Sequence, residues 1–202
     1  MEAADLCSVP AVRLVRHMQK TGERYTNDSV RVFWDTVENY EWREIPSRVM
    51  ARGDNSYPTE WYIAVLESGK TVAVAMVEHS WWDEGVLVLQ HLAVLASFRR
   101  RGIGARLIES IRAGGHTVVA STVGKSVTEF YCSRGFHVAL SLKQFAEEMH
   151  TWTRIVLGSC PVSLDDMRNN VEKSPSENRV AYVASSPIDK SKFHMLIMAH
   201  GM

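Results

Sequence analysis

The sequence predicts a mixed α/β domain in which strands and helices alternate along the chain. Three observations carry that expectation. Seven short segments alternate apolar with polar residues or are continuously apolar, and turn-formers bound them. Between them lie stretches in which apolar residues recur every three or four positions, the spacing of an amphipathic helix. The two kinds of segment are interleaved along the chain, as in a layered α/β domain.

The order opens with residues 11–18, which alternate in polarity and read as a strand. Val30, Phe33, Val37 and Tyr40 then share a helical face, with Asp28 or Ser29 able to cap it. A second helix is expected over 46–52, because Pro46 suits a first helical position and Gly53 an end. Residues 61–66 and 71–79 flank Glu67-Ser68-Gly69-Lys70 and predict two antiparallel strands joined at a turn where Gly69 takes positive φ. A long strand follows over 86–95. Gly104, Leu107, Ile108 and Ile111 form one face of the next helix, which Gly114-Gly115 stops. Residues 116–122 predict a strand. Ser126 and Glu129 have the spacing of a capping box for a helix through Arg134 that buries Val127, Phe130 and Tyr131. Residues 136–140 and 151–157 supply two more strands. The main domain is expected over 1–158. Residues 159–202 read as an extension, a polar linker followed by apolar segments at 180–184 and 193–198 that pack back.

A chain of 202 residues, 46% of them hydrophobic, can build a sizeable core. Lys plus Arg equals Asp plus Glu at 23 each, so no global field draws the chain to nucleic acid or to an anionic membrane. Cys7, Cys132 and Cys160 are scattered without metal-like spacing, which argues against a disulfide framework and a zinc site and favours a reducing compartment. The acidic start Met1–Asp5 lacks the apolar region of a signal peptide, and the apolar run 86–96 is too short to span a bilayer. An intracellular, cytoplasmic protein is expected.

The segment richest in chemistry is a strand, an Arg-rich turn and a helix. Unpaired amides and the dipole at a helix start favour an anion. Gly102 and Gly104 let a phosphate approach the backbone, and Arg99, Arg100 and Arg101 can add charge-assisted bonds. A solvated basic turn is the plain alternative. The motif is neither a Walker loop nor the three-glycine dinucleotide fingerprint. Some thirty residues on, Phe130-Tyr131 and Gly135-Phe136 place an aromatic pair at a helix end before a strand.

Together these segments resemble the GNAT superfamily of acyl-CoA-dependent N-acyltransferases. Arg99, Gly102 and Gly104 match its Gln/Arg-x-x-Gly-x-Gly/Ala pattern, Leu92-Ala93-Val94 its acetyl-binding strand, and Phe130 to Phe136 its second cofactor motif. The resemblance covers roughly residues 10–158. It implies a GNAT-like, mostly antiparallel sheet with helices on both faces and a splayed central strand pair, 86–95 and 116–122, with acyl-CoA wedged there. It further implies that the main chain of Leu92, Ala93 and Val94 holds the pantetheine arm and polarises the thioester. Amides of Arg100, Arg101, Gly102, Ile103, Gly104 and Ala105 would then hold the pyrophosphate, and Tyr131 would protonate the leaving thiolate. Where the family often carries Asn and Ala before the aromatic pair, this chain has Gly124 and Val127.

An alkylamine of pKa about 10.4 must lose a proton before it attacks, which costs roughly 4.6 kcal/mol at pH 7. The positions where the family places a base hold Val88 and Gln90, of which only Gln90 can orient a water. Strand alternation points His91 away from Gln90 unless a bulge intervenes. Glu78 and His79, at the end of the preceding strand, are the other candidates. Trp34, Tyr40, Trp42, Trp81, Trp82, Asp83, Glu84 and Trp152 would line the substrate groove, a lining suited to a cationic or aryl amine. The reading is thus an N-acetyltransferase using acetyl-CoA and a primary amine, with no metal, no nucleic acid and no membrane, and with homodimerisation left open. The rival readings are a non-catalytic acyl-CoA-binding or protein-interaction module on the same fold and, more remotely, a nucleic-acid binder acting through the basic turn.

Overall fold

Strand β1, Val12–Gln19, pairs antiparallel with β2, Thr59–Leu66, which pairs antiparallel with β3, Thr71–His79. The computed structural model describes residues 11–24, 27–37, 58–80, 83–123, 125–140 and 180–188, with 144, 147, 150, 151, 154 and 163–165. The remaining elements are α1 (Asp28–Thr36), β4 (Val86–Val94), a short 3-10 turn (Ala96–Phe98), α2 (Ile103–Arg112), β5 (Thr117–Val123), α3 (Lys125–Cys132), β6 (His137–Leu140) and β7 (Val180–Ala184). The seven strands follow the order β1-β2-β3-β4-β5-β7-β6, a mixed α/β architecture with a mostly antiparallel sheet. The chain divides into two compact units, Met1–Trp81 with Leu89–His116, and Trp82–Val88 with Thr117–Met202.

In the first unit α1 begins at Asn27, whose side-chain oxygen accepts from the amides of Ser29 and Val30. The cap therefore falls one residue before the expected Asp28 or Ser29, because the helix already includes both. Val30, Phe33 and Trp34 pack with Trp61 and Ile63 of β2, Val74 and Met76 of β3, and Ala93 of β4. Trp34 is fully buried in this cluster, so it is a core residue and not part of a groove lining. Truncating such a side chain to Ala costs about 3–5 kcal/mol. Helix α2 buries Ile103, Leu107, Ile108 and Ile111 and packs against β2 and β3. The β2–β3 turn closes as expected: Gly69 has φ 82°, its amide donates to Leu66, and the Leu66 amide donates to Lys70.

In the second unit β7 pairs antiparallel with β5 on one side and β6 on the other, so residues 180–184 fill the interior of a three-stranded array. Val86, Val88, Val119, Leu140, Tyr182 and Ala184 make its core. Helix α3 starts at Lys125, which puts Ser126 inside the helix and not at its cap. Of the strand expected over 151–157, the described residues Thr151 and Arg154 are corrected to helix, as Gln144, Glu147 and His150 before them are helical, and the others lie outside the described residues. The Thr151 hydroxyl donates to the Glu147 carbonyl at 2.9 Å, a bond four residues back that a helix supplies and a strand does not. The strong helix-formers of Gln144–Glu148 outweigh the β-branched residues that follow. The helix expected over 46–52, Tyr40, Trp42, Trp81, Trp82, Trp152 and the segment 193–198 lie outside the described residues.

Candidate acyl-transfer site

The turn between β4 and α2 is left-handed at two positions. Gly102 stands at the helix cap with φ 76° and Arg100 two residues earlier with φ 61°, both left-handed. A non-glycine residue in that region carries strain, which surroundings must impose. The first bond of α2 runs from the Arg106 amide to the Gly102 carbonyl, so the amides of Ile103, Gly104 and Ala105 have no intrahelical acceptor. A Cβ added at Gly102 would meet nothing within 4 Å. These outward amides and the open space above them suit a phosphate group.

The arginines around the turn divide their tasks. Arg99 folds back, its Nε donating to the Val94 carbonyl at 3.1 Å. That carbonyl, expected to serve the pantetheine arm, therefore already has a donor, and Arg99 braces the end of β4. Arg101 lies over the Phe98 ring at 5.6 Å. Arg100 is exposed. Leu92 is half-buried and Ala93 buried against α1.

Three of the candidates for handling the amine's proton come together. The Gln90 side-chain amide donates to Glu78 Oε2 at 2.9 Å. His91, next on β4, packs edge-on against Trp34 with ring centroids 6.0 Å apart. Burial pushes the His91 imidazole down to about 4, against the pull of the nearby Glu78 charge. His91 is therefore neutral at physiological pH and holds a proton weakly, which leaves Glu78 as the carboxylate of the group. Alternation along β3 places Glu78 on the face of Val74 and Met76, the face that α1 covers.

On the opposite face stands a cluster that the sequence does not announce. Glu60 is fully enclosed, yet each of its oxygens accepts twice. Arg16 Nε and the Tyr62 hydroxyl reach Oε2 at 2.7 Å, and Arg16 Nη2 and His79 Nε2 reach Oε1 at 2.7 Å. Burial pushes the Glu60 carboxyl up, but the bonds from Arg16, Tyr62 and His79 outweigh it and hold it below its ordinary value. Burial, together with the same carboxylate, raises the Tyr62 phenol well above the usual range. The His79 ring also meets the His116 ring edge-on at 6.1 Å. The available signal is a carboxylate inside the apolar run 59–66, and a strand taken to start at Trp61 hides it.

In the second unit α3 ends where Gly135 takes φ 80°, with the Arg134 and Phe136 amides both donating to the Tyr131 carbonyl. Tyr131 is buried between Phe130 and Phe136, with centroids 5.2 Å away in each case. No described residue bonds its hydroxyl, and burial raises the phenol well above its ordinary value. The proton therefore stays on oxygen. Cys132, its neighbour, is exposed and unpaired.

A family model described as the acetyltransferase (GNAT) domain matches residues 58–138. Over residues 58–138 the chain is similar to a GNAT acetyltransferase domain. The match runs from β2 into β6 and includes the Gly102 turn, Glu78, Gln90, His91 and Tyr131. Solved structures share the fold of this GNAT domain. A GNAT-family protein from Desulfovibrio desulfuricans aligns with a TM-score of 0.55 at 16% identity, over 86% of this chain and 98% of that one. An acetyltransferase of the GNAT family from Staphylococcus aureus gives 0.51 at 14% identity, over 87% and 100%. An acyl-CoA N-acyltransferase from Pseudomonas aeruginosa gives 0.52 at 13% identity, over 86% and 100%. At such identities the likeness is one of fold. A search of curated proteins finds no match. The activity that goes with a GNAT domain is acyl transfer. Among the described residues no helix is long and apolar enough to cross a membrane, and no group of three or more His, Cys, Asp or Glu could hold a metal ion.

Proposed function

We propose that the protein is an N-acetyltransferase that moves an acetyl group from acetyl-CoA to a primary amine by direct attack. The observation that carries this reading is the β4–α2 turn, where left-handed Arg100 and Gly102 free three successive amides for a pyrophosphate. Acetyl-CoA supplies the acyl group as a thioester, and the remaining work falls to side chains and main chain. The amides from Arg100 to Ala105, with the Arg100 and Arg101 guanidinium groups, hold the diphosphate. The main chain of Leu92, Ala93 and Val94 aligns the acyl arm.

Glu78 takes the amine's proton, directly or through a water that Gln90 orients. His91, neutral and pressed against Trp34, walls the site without competing for that proton. As the C–N bond forms and the C–S bond breaks, Tyr131 donates a hydrogen bond to the departing sulfur. Full transfer from so weak an acid to a thiolate of ordinary pKa about 8.5 runs uphill. Tyr131 therefore stabilises the developing charge, and the thiolate collects its proton as it leaves into water. The proton on Glu78 also returns to solvent, which resets the site.

In this reading residues 1–158 form the catalytic domain and 159–202 an extension that lends it β7. The protein acts inside the cell, on acetyl-CoA and a small-molecule or protein amine. The test is thiol release from acetyl-CoA across an amine panel, with wild type, Glu78→Gln and Tyr131→Phe. Turnover of an amine that both substitutions slow supports the proposal. Binding of coenzyme A with no amine acetylated would instead assign the chain to non-catalytic acyl-CoA binding.

A further inference from the structure

We infer that Glu60 is a positioning residue for the acyl transfer: through His79 it anchors the end of β3 from one face of the sheet, so that Glu78 is presented on the other. The inference rests on the reading of Glu78 as the proton acceptor.

Glu78 and His79 are the last two residues of β3, so their side chains leave opposite faces. Against β2, pairing ends there as well: Glu78 is the last residue of β3 in register with β2, opposite Thr59. One backbone bond, from the His79 amide to the Pro58 carbonyl at 3.0 Å, continues beyond it. On the β2 edge the main chain offers little beyond Glu78, and there a side chain can add to the hold. His79 supplies that hold through Glu60 at 2.7 Å, and Glu60 is itself immobilised by Arg16 from β1 and Tyr62 from β2. Because Glu60 stays ionised it can only accept, so His79 Nε2 carries the hydrogen of that bond. His116, beyond the end of α2, closes over the His79 ring. On the other face Gln90 bonds Glu78, and His91 lies within reach of its charge. The anchored residue is the immediate neighbour of the one that must be placed, and a shift of about 1 Å at a reacting group can cost on the order of 100-fold in rate.

The experiment measures kcat and KM for wild type, Glu60→Gln, His79→Leu, His79→Gln and Glu78→Gln. Each is assayed with an alkylamine and with its fluorinated, less basic analogue. The expected result is that Glu60→Gln and His79→Leu lower kcat on the alkylamine about 10-fold or more while KM for acetyl-CoA holds. The loss should shrink on the weakly basic amine, which needs less help in losing its proton. His79→Gln, which can still donate to Glu60, should restore most of what His79→Leu loses. A purely structural role would lower stability and leave the dependence on amine basicity unchanged. That outcome overturns the inference, as does a kcat that stays at wild type in folded His79→Leu. If Glu60→Gln does not fold, the two His79 variants decide. If Glu78→Gln itself keeps the wild-type rate, the proposed proton acceptor fails and the inference falls with it. A slow Glu78→Gln beside normal Glu60 and His79 variants removes the inference alone.

Discussion

Arg16 and Glu60 meet through two parallel hydrogen bonds of 2.7 Å, although the carboxylate is fully enclosed and the arginine side chain is 55% exposed. The bidentate geometry matches the planar guanidinium to both carboxylate oxygens. Removing one member of such a pair leaves the other without its counter-charge. Arg16→Ala is expected to lose about 3 kcal/mol at pH 7, a cost typical of stranding an enclosed charge. Glu60 is held below its ordinary value of about 4.3, so its contribution is complete above that pH and is lost as pH falls through the folded value. Urea denaturation should show the full difference between wild type and Arg16→Ala at pH 7 and a smaller one as the pH is lowered into the acid range.

His91 titrates against a different background. Its folded pKa is about 4 against an ordinary 6.5, so the unfolded chain binds the extra proton between those values. Stability should therefore be complete above about pH 6.5 and fall towards pH 4, by roughly 3 kcal/mol over the interval. His91→Phe keeps a ring against Trp34 and cannot titrate. Its denaturation midpoint should be flatter than that of wild type across this range.

Tyr131→Phe deletes one oxygen from a buried site and leaves the packing with Phe130 and Phe136 in place. Loss of one preorganised donor commonly costs about 100-fold or more in kcat. We expect that loss with affinity for coenzyme A unchanged. Because burial raises the phenol so far, its ionisation should set no alkaline limb in the wild-type profile below about pH 10, the ordinary value for a phenol. A limb near pH ~8 that vanishes in Tyr131→Phe would contradict this.

Gly102 and Gly69 form a matched pair of tests. Both have positive φ, 76° and 82°, and a Cβ at either would meet nothing within 4 Å. Ala at either position should cost about 1–2 kcal/mol through backbone conformation alone. Calorimetry with coenzyme A should separate them. Gly102→Ala is expected to weaken binding about 10-fold, because the amides beside it turn with the cap, while Gly69→Ala leaves binding intact.

Local features are the most legible in the sequence. The turn at Gly69 and the helix ends near Gly115 and Gly135 can be read from it, because a positive φ is a property that one residue confers. The apolar faces of α1 and α2 are likewise legible from their period. The cap of α1 lies one residue from its expected place, since Asn27, Asp28 and Ser29 are all competent caps and only the packing of Val30 and Phe33 fixes the phase. Thr151 and Arg154, expected in a strand over 151–157, are helical, as are the described residues Gln144, Glu147 and His150 before them. Of the proposed site, the phosphate-binding turn and Tyr131 are visible as motifs. The partners of Glu78, Gln90, His91 and His79 are not.

By itself the sequence determined the strands from 11 to 95, the helices at α1, α2 and α3, the turn at Gly69 and the motifs that resemble a GNAT domain, all of which depend on residues a few positions apart. Tertiary structure alone decided that Glu60 receives Arg16 from 44 residues away and His79 from 19, and that β7 pairs on both sides, with β5 and with β6. The reason is that sheet neighbours are set by strand order and register. Which side chains meet across a sheet follows from pairings whose free energy is shared among whole strands, and no single residue announces it.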